Sequence, residues 1–231
     1  MRLETALGTP APAIDPLEFI GAMGPPLSEG NIEAAVAHVR SRWTPAQVTG
    51  LLHDKSPDVR KVAALSLALV GDAHAVPPLA VALHDPDAMV VQMAEHALWS
   101  IWFRLGSSPA VCLVKCGNHH MHHSNYECAV QKFTQAIHED PTFAEAYNQR
   151  AICHYLSDRH ADSIADCKSA LALIPQHFGA MSGMGHCHAH LGQWRQARHC
   201  YRLALAIHPR LEGIQGSLEQ IDHLLRENPS L

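Results

Sequence analysis

Three hexapeptides decide how this chain is read: "AIHEDP" at residues 136–141, "ALALIP" at 170–175 and "ALAIHP" at 204–209. Their prolines fall 34 residues apart. Self-similarity at such a period marks a stack of supersecondary units. The same step aligns Gly117, Ala151 and Gly185; Ala129, Ser163 and Ala197; Phe133, Cys167 and Tyr201; and Ala136, Ala170 and Ala204. Small residues recur where two helices cross closely, and larger ones where a gap must be filled. The proline follows each second helix, which it cannot continue. The spacing therefore predicts three helix–turn–helix units over 110–143, 144–177 and 178–211.

Outward from these units the pattern changes. In "RLEGIQGSLEQIDHLLRENP" (210–229), Ile214, Leu218, Ile221 and Leu225 share one helical face, as expected of a helix that caps the last apolar surface of a stack. Upstream, "LLHDKSPDVRKVAALSLALVG" (51–71) and "ALHDPDAMVVQMAEHALWSIW" (82–102) share an "LHD" step with Asp54 and Asp85 31 residues apart. Val59, Val62, Ala63 and Leu67 correspond to Val90, Met93, Ala94 and Leu98. A helix is expected near 30–41, and "TPAQ" at 44–47 reads as a capping box, with Thr44 as N-cap, Pro45 at N1 and Gln47 at N3. In the join "RLGSSPAV" (104–111), Ser108 is the expected cap and Pro109 the opening residue. Trp99, Trp102 and Phe103 are expected to pack the upstream part onto the first 34-residue unit. Residues 1–29, rich in Pro and Gly with one short apolar piece, "LEFIGAM" (17–23), are expected to be irregular apart from a short helix docked on the first repeat. Their start lacks a basic region and an apolar core, so no signal peptide is read there.

Composition narrows the function classes. The 231 residues are 47 % hydrophobic and 17 % charged, which suits a globular chain. A net charge of −5 argues against a nucleic-acid-binding face, which needs clustered cations. No run of 18 apolar residues is present, so no membrane span is expected. Seven cysteines at irregular spacings point to free thiols in a reducing compartment, and hence to a cytoplasmic protein.

The 34-residue units resemble the tetratricopeptide repeat across residues 110–209. They depart from it where the large aromatic near the repeat start is Leu113, Tyr147 and Met181. The upstream pair, about 44–105, resembles HEAT-like repeats of the phycobilisome-lyase type. Together the resemblances imply an all-α, continuous, curved α-solenoid, divided into an irregular segment (1–29), HEAT-like repeats (30–106), three tetratricopeptide repeats (107–209) and a C-terminal cap and tail (210–231). They also imply a concave groove lined by Val114, Asn118, Met121 and His122 in the first repeat. Asn148, Ile152 and Tyr155 line it in the second, and Ser182, His186 and His190 in the third. Some members grip the two carboxylates of a chaperone C-terminus with Lys, Asn, Asn, Lys and Arg. The matching positions here are Val114, Asn118, Gln149, Gly179 and Gly183, and only Asn118 agrees. Capture of such a tail is not expected. A neutral peptide segment is, with Asn side chains pairing to its backbone and Met121, Ile152 and Tyr155 offering apolar contacts.

The stretch "GNHHMHHSNYEC" (117–128) raises a metal reading. In the 34-residue register His120, His154 and His188 align, and equivalent atoms of neighbouring repeats lie roughly 8–10 Å apart. Two ligands of one zinc ion lie only ~3–4 Å apart, so the column cannot form a single site. Each His is instead expected to fill space and find one hydrogen bond. Cys153 and Cys187 are expected to act as small buried hydrophobes. Cys112, Cys116 and His120 form the best Cys/His stripe and are expected to face inward. His186 and His190, four apart, stack on the groove face. These five residues are the weak metal candidates, and no cofactor is expected.

No G-x-S-x-G, H-E-x-x-H or phosphate-loop motif occurs. "GMGHCHAHLG" (183–192) has no preceding strand for a dinucleotide site. Deoxyhypusine hydroxylases carry repeated His-Glu pairs, whereas this chain has one, His138–Glu139. Nothing marks a bilin pocket of the lyase kind. The expectation is a non-catalytic scaffold or adaptor for a protein or peptide partner, with a homodimer possible. The alternatives are a metal- or thiol-dependent sensor and a HEAT-like lyase-type enzyme.

Overall fold

A computed structural model describes residues 14–228. Among them the chain is an all-α repeat solenoid. It opens with a helix longer than the short docked one the sequence suggested: α1 (Pro16–Ser28) is capped by Asp15, whose carboxylate accepts the Leu17 N–H. Pro16 at its first turn is pre-set for a helix, whereas Pro25 and Pro26 in its last turn remove the N–H donors to the carbonyls of Gly21 and Ala22. Phe19 and Met23, one turn apart, are fully buried, and that burial outweighs the breakers. The part of the irregular-segment expectation that concerns residues 1–13 lies outside the described residues.

Helix α2 (Ile32–Arg42) and α3 (Pro45–Gly50) follow, and α3 carries the capping box of Thr44 and Gln47. Next come α4 (Pro57–Val70), α5 (Val76–Ala82) and α6 (Ala88–Trp102). The paired apolar sets on α4 and α6 make the core of this half: Val59, Ala63, Leu67, Val90, Ala94 and Leu98 are buried, with Val62 and Met93 packed at its edge. The two "LHD" steps are tied together by Arg60. Its guanidinium donates to both Asp85 oxygens at 2.7 and 2.8 Å and to the Asp54 carbonyl at 2.9 Å. Hydrogen bonding from Arg60 holds the Asp85 carboxyl below its ordinary value. A carboxyl lowered in the folded state adds stability above its unfolded pKa, and that increment is lost as pH falls through the folded value. Asp85→Asn is therefore expected to lower urea stability at pH 7 and to reduce its loss between pH 4 and pH 2, which paired denaturation curves will read.

The 34-residue units form α7 (Ser108–His122) with α8 (Tyr126–Glu139), α9 (Ala144–Leu156) with α10 (His160–Leu173), and α11 (Phe178–His190) with α12 (Trp194–Ile207). The cap of α7 is Ser107 rather than Ser108: the Ser107 hydroxyl accepts the Ala110 N–H. Each unit turns through one left-handed residue at the same register: Ser124, Asp158 and Gly192, with φ of 58°, 57° and 69°. Just past it, the N–H of Asn125, Arg159 and Gln193 reaches back to the carbonyl of His120, His154 and His188. This six-to-one bond closes the helix end. The histidine column thus sits at helix C-termini. His154 lies 3.5 Å from Asp166, and His188 bonds Gln193 at 2.6 Å. Helix α13 (Ile214–Glu227) covers the last unit with Ile214 and Ile221 buried and Leu218 and Leu225 beside them.

The aromatic cluster before the join does not act as one. Phe103 packs into the first-unit core with Val114 and Phe133. Trp99 and Trp102 instead reach the boundary of the second and third units. Trp102 stacks on His177 at 4.1 Å, and both tryptophans contact Phe178. Farther back along α6, Glu95 pairs with His208 at 3.1 Å, and the Arg210 guanidinium reaches the carbonyls of Asp85 and Pro86 at 3.3 Å. Near the join, Gly106 lies so close to Phe143 that a Cβ there would meet its ring at 2.5 Å. The HEAT-like half therefore lies along the inter-repeat turns, touching one turn after another.

Candidate functional site

The close pairing of small and large residues in the 34-residue register creates the site by failing once. In the first unit a Cβ on Gly117 would run into the Phe133 ring. In the third, a Cβ on Gly185 would lie 2.6 Å from Tyr201. Glycine is what lets each ring lie flat on the neighbouring helix. In the second unit the pair is Ala151 and Cys167, both buried, and no ring is present. Gly183 of α11 faces the same space, where a Cβ would meet only the Cys167 sulfur at 3.8 Å. A cavity of about 190 Å³ results, between α9, α10 and α11. Its walls include Ala151, Cys167 and Gly183, and its mouth Asn148, Ile152, Tyr155, Ser182 and His186.

Five of the ten expected groove residues thus meet at one opening, while the other five do not line it. Val114 is a core residue, 1 % exposed, because the Ala110–Val114–Gly117 face of α7 turns toward α8. Asn118 and Met121 are half-buried, and His122 is exposed on the last turn of α7. His190 lies beside the cavity, where its Nε2 is hydrogen-bonded to the Tyr155 hydroxyl at 2.9 Å and its ring packs on His160. His186 Nδ1 meets the Tyr201 hydroxyl at 2.7 Å. Burial, with a smaller contribution from His190, holds His186 below its ordinary pKa, so at neutral pH it is uncharged. Desolvation pushes Tyr201 up to about 12. No Lys or Arg lines the cavity, so the opening is neutral.

Asn148 is 3 % exposed, and its amide group is committed inward, donating to Glu145 at 3.1 Å. Gln149 and His177 donate to the same carboxylate at 2.6 and 2.9 Å, and Glu145 and His177 are both fully buried. The His177 Nδ1 caps α11 by accepting the Ala180 N–H, which leaves the proton on Nε2, facing Glu145. The matched clamp position Gly179 is where Trp99 lies: a Cβ there would be 2.6 Å from the indole. Sequence reasoning missed Ala151, Ser163, Cys167, Gly179 and Gly183 as lining residues. The signal available for it was the loss of the aromatic from the Phe133–Cys167–Tyr201 column.

The weak metal candidates separate. Cys112 and Cys116 are exposed, so their stripe faces solvent rather than the core. It does so because the opposite face of α7 carries the small residues that α8 needs. Among the described residues no group of three or more His, Cys, Asp and Glu gathers as a metal site requires. Cys153 and Cys187 are fully buried. Desolvation pushes Cys153 up to about 11 and Cys167 up to about 12, so these thiols stay protonated and weakly nucleophilic at neutral pH. Among the described residues no helix is long and apolar enough to cross a membrane.

Comparison with known proteins follows the same division. A family model described as HEAT repeats matches residues 44–112. The small glutamine-rich tetratricopeptide repeat-containing protein 2 of Saccharomyces cerevisiae is 32 % identical over 91 residues, 39 % of this chain and 26 % of that protein. The chain spans less than two thirds of the length of the first curated relatives it matches. The Sgt2 TPR domain from Aspergillus fumigatus superposes with a TM-score of 0.52 at 20 % identity, covering 55 % of this chain and 85 % of that one. The first TPR of Spaghetti (RPAP3), solved bound to the HSP90 peptide SRMEEVD, gives 0.51 at 24 % identity, covering 52 % and 95 %. At these identities the structures speak for the fold. The chain is an all-α repeat protein whose residues 44–112 match HEAT repeats and whose fold is similar to that of tetratricopeptide repeat domains.

Proposed function

We propose that this chain is a non-catalytic adaptor whose tetratricopeptide groove holds an extended or helical, uncharged segment of a partner protein. The observation that carries this is the neutral, apolar opening at Asn148, Ile152, Tyr155, Ser182 and His186. A partly exposed Ile152 beside hydroxyl, amide and imidazole groups is the mixture a peptide backbone and its side chains require. Solved neighbours bind the acidic HSP90 peptide, but here the clamp positions are Val114, Gln149, Gly179 and Gly183, and Trp99 covers one of them. An internal segment, not a terminal carboxylate, is the ligand in this reading.

The accompanying proposals are a cytoplasmic location, in keeping with seven free cysteines, and partners that are proteins rather than nucleic acid or membrane. A homodimer remains open to test, and the division at 1–29, 30–106, 107–209 and 210–231 is proposed as the domain plan. Among the described residues no group of three or more His, Cys, Asp and Glu gathers to favour the metal-sensor alternative, and no observation favours the lyase one.

The test is site-specific photo-crosslinking in native lysate, with the reactive residue at Ile152 or, as a control, at exposed Lys168 of α10. Partner bands at Ile152 that are absent at Lys168, and unaffected by excess SRMEEVD peptide, are expected. Equal labelling at both positions, or competition by that peptide, would overturn the reading.

A further inference from the structure

Resting on that reading of the groove, we propose that the cavity is a receptor for one aromatic side chain, Phe or Tyr, supplied by the partner segment. The chain's own repeats show what fits. In the first and third units the small-to-large pair ends in a ring, Phe133 on Gly117 and Tyr201 on Gly185. The second unit substitutes Ala151 and Cys167 and leaves the ring's place open toward the groove. An apolar cavity of ~150 Å³ takes up benzene, so about 190 Å³ accommodates a phenyl group.

The surroundings favour an aromatic over an aliphatic occupant. Tyr155 and His186 stand at the mouth with ring centroids 6.3 Å apart, and edge-to-face contacts with an incoming ring are open to both. His186 is fixed by the Tyr201 hydroxyl, the outer end of the very ring that fills the equivalent place one unit on. Half-buried Ser182 adds a hydroxyl to the lining, beside the backbone of the inserted residue. With no cation in the lining, a carboxylate on the guest would be desolvated without a partner.

The test uses toluene as the ring probe and p-toluate as its charged counterpart, added to the full chain and followed by amide chemical shifts. Toluene is expected to perturb Ile152, Gly183 and His186 saturably, while p-toluate leaves them unmoved. Ala151→Gly/Cys167→Phe restores the pair used in the other two units. It is expected to weaken toluene binding at least about tenfold, a loss near 1.4 kcal/mol. Gly183→Leu, directed into the open space, is the second filling variant if the first folds poorly by circular dichroism. Absence of toluene binding to wild type, binding undiminished in a folded filling variant, or equal binding of p-toluate would each overturn the proposal. Toluene binding with no Ile152 crosslink would leave the receptor standing and remove the adaptor reading instead.

Discussion

Glu145→Ala is expected to cost about 3–5 kcal/mol in denaturant unfolding, because several buried donors left without an acceptor cost about 1–3 kcal/mol each. The carboxylate is fully buried and is the shared acceptor for Asn148, Gln149 and His177. Its loss strands three donors in a site closed to water. Glu145→Gln keeps the shape and an acceptor oxygen, so it should lose less. The effect should also reach the groove, because Asn148 at the cavity mouth is held by the same carboxylate. Amide exchange at Asn148 and Ile152 should rise in Glu145→Ala even under conditions where the chain remains folded. A loss under ~1 kcal/mol would mean that water replaces the carboxylate, against the burial described.

Trp102→Ala should rank beside it, at about 3–5 kcal/mol for a large aromatic removed from a core. Trp102 is fully buried, stacks on His177 and meets Phe178 and Trp99 at centroid distances of 5.1 and 5.0 Å. Its indole nitrogen has no hydrogen-bond partner. Trp102→Phe, which retains ring contact and removes that orphan donor, should therefore be milder. Both variants act through His177, so Glu145→Ala and Trp102→Ala together should fall short of the sum by about 0.5–3 kcal/mol in a double-mutant cycle. Strict additivity would show that the imidazole does not connect the two sides.

The period-34 pattern made the helix pairs readable, because a repeated small–large pairing constrains crossings that one copy cannot. The HEAT-like halves were readable for the same reason, through Val59–Leu67 and Val90–Leu98. Helix α1 was legible only as a short docked helix, since Gly21, Gly24, Pro25 and Pro26 speak for a break, while the burial that carries it through them depends on a core the local sequence does not show. The metal-like Cys112–Cys116 stripe was misplaced because helical periodicity says that residues share a face without saying which face is covered. Register brought five of the ten expected groove residues to the cavity. The cavity needed the further step of subtracting Cys167 from Phe133 and Tyr201. The partners of Trp99 and Trp102 lie some 75 residues downstream, and no local pattern identifies contacts of that separation.

Helix α6 touches Phe178 beyond the second unit's turn and pairs with His208 beyond the third, while the segment just after it meets Phe143 beyond the first. Ordinary solenoids behave as springs, since each unit meets only its neighbours and the superhelix can widen or tighten. Here a lateral splint crosses the coils. Such a splint is expected to hold the curvature, so that a ligand matches the bore of the groove rather than stretching it. Fraying from one end should likewise be suppressed, so that hydrogen exchange across the three units reports one opening free energy instead of a gradient.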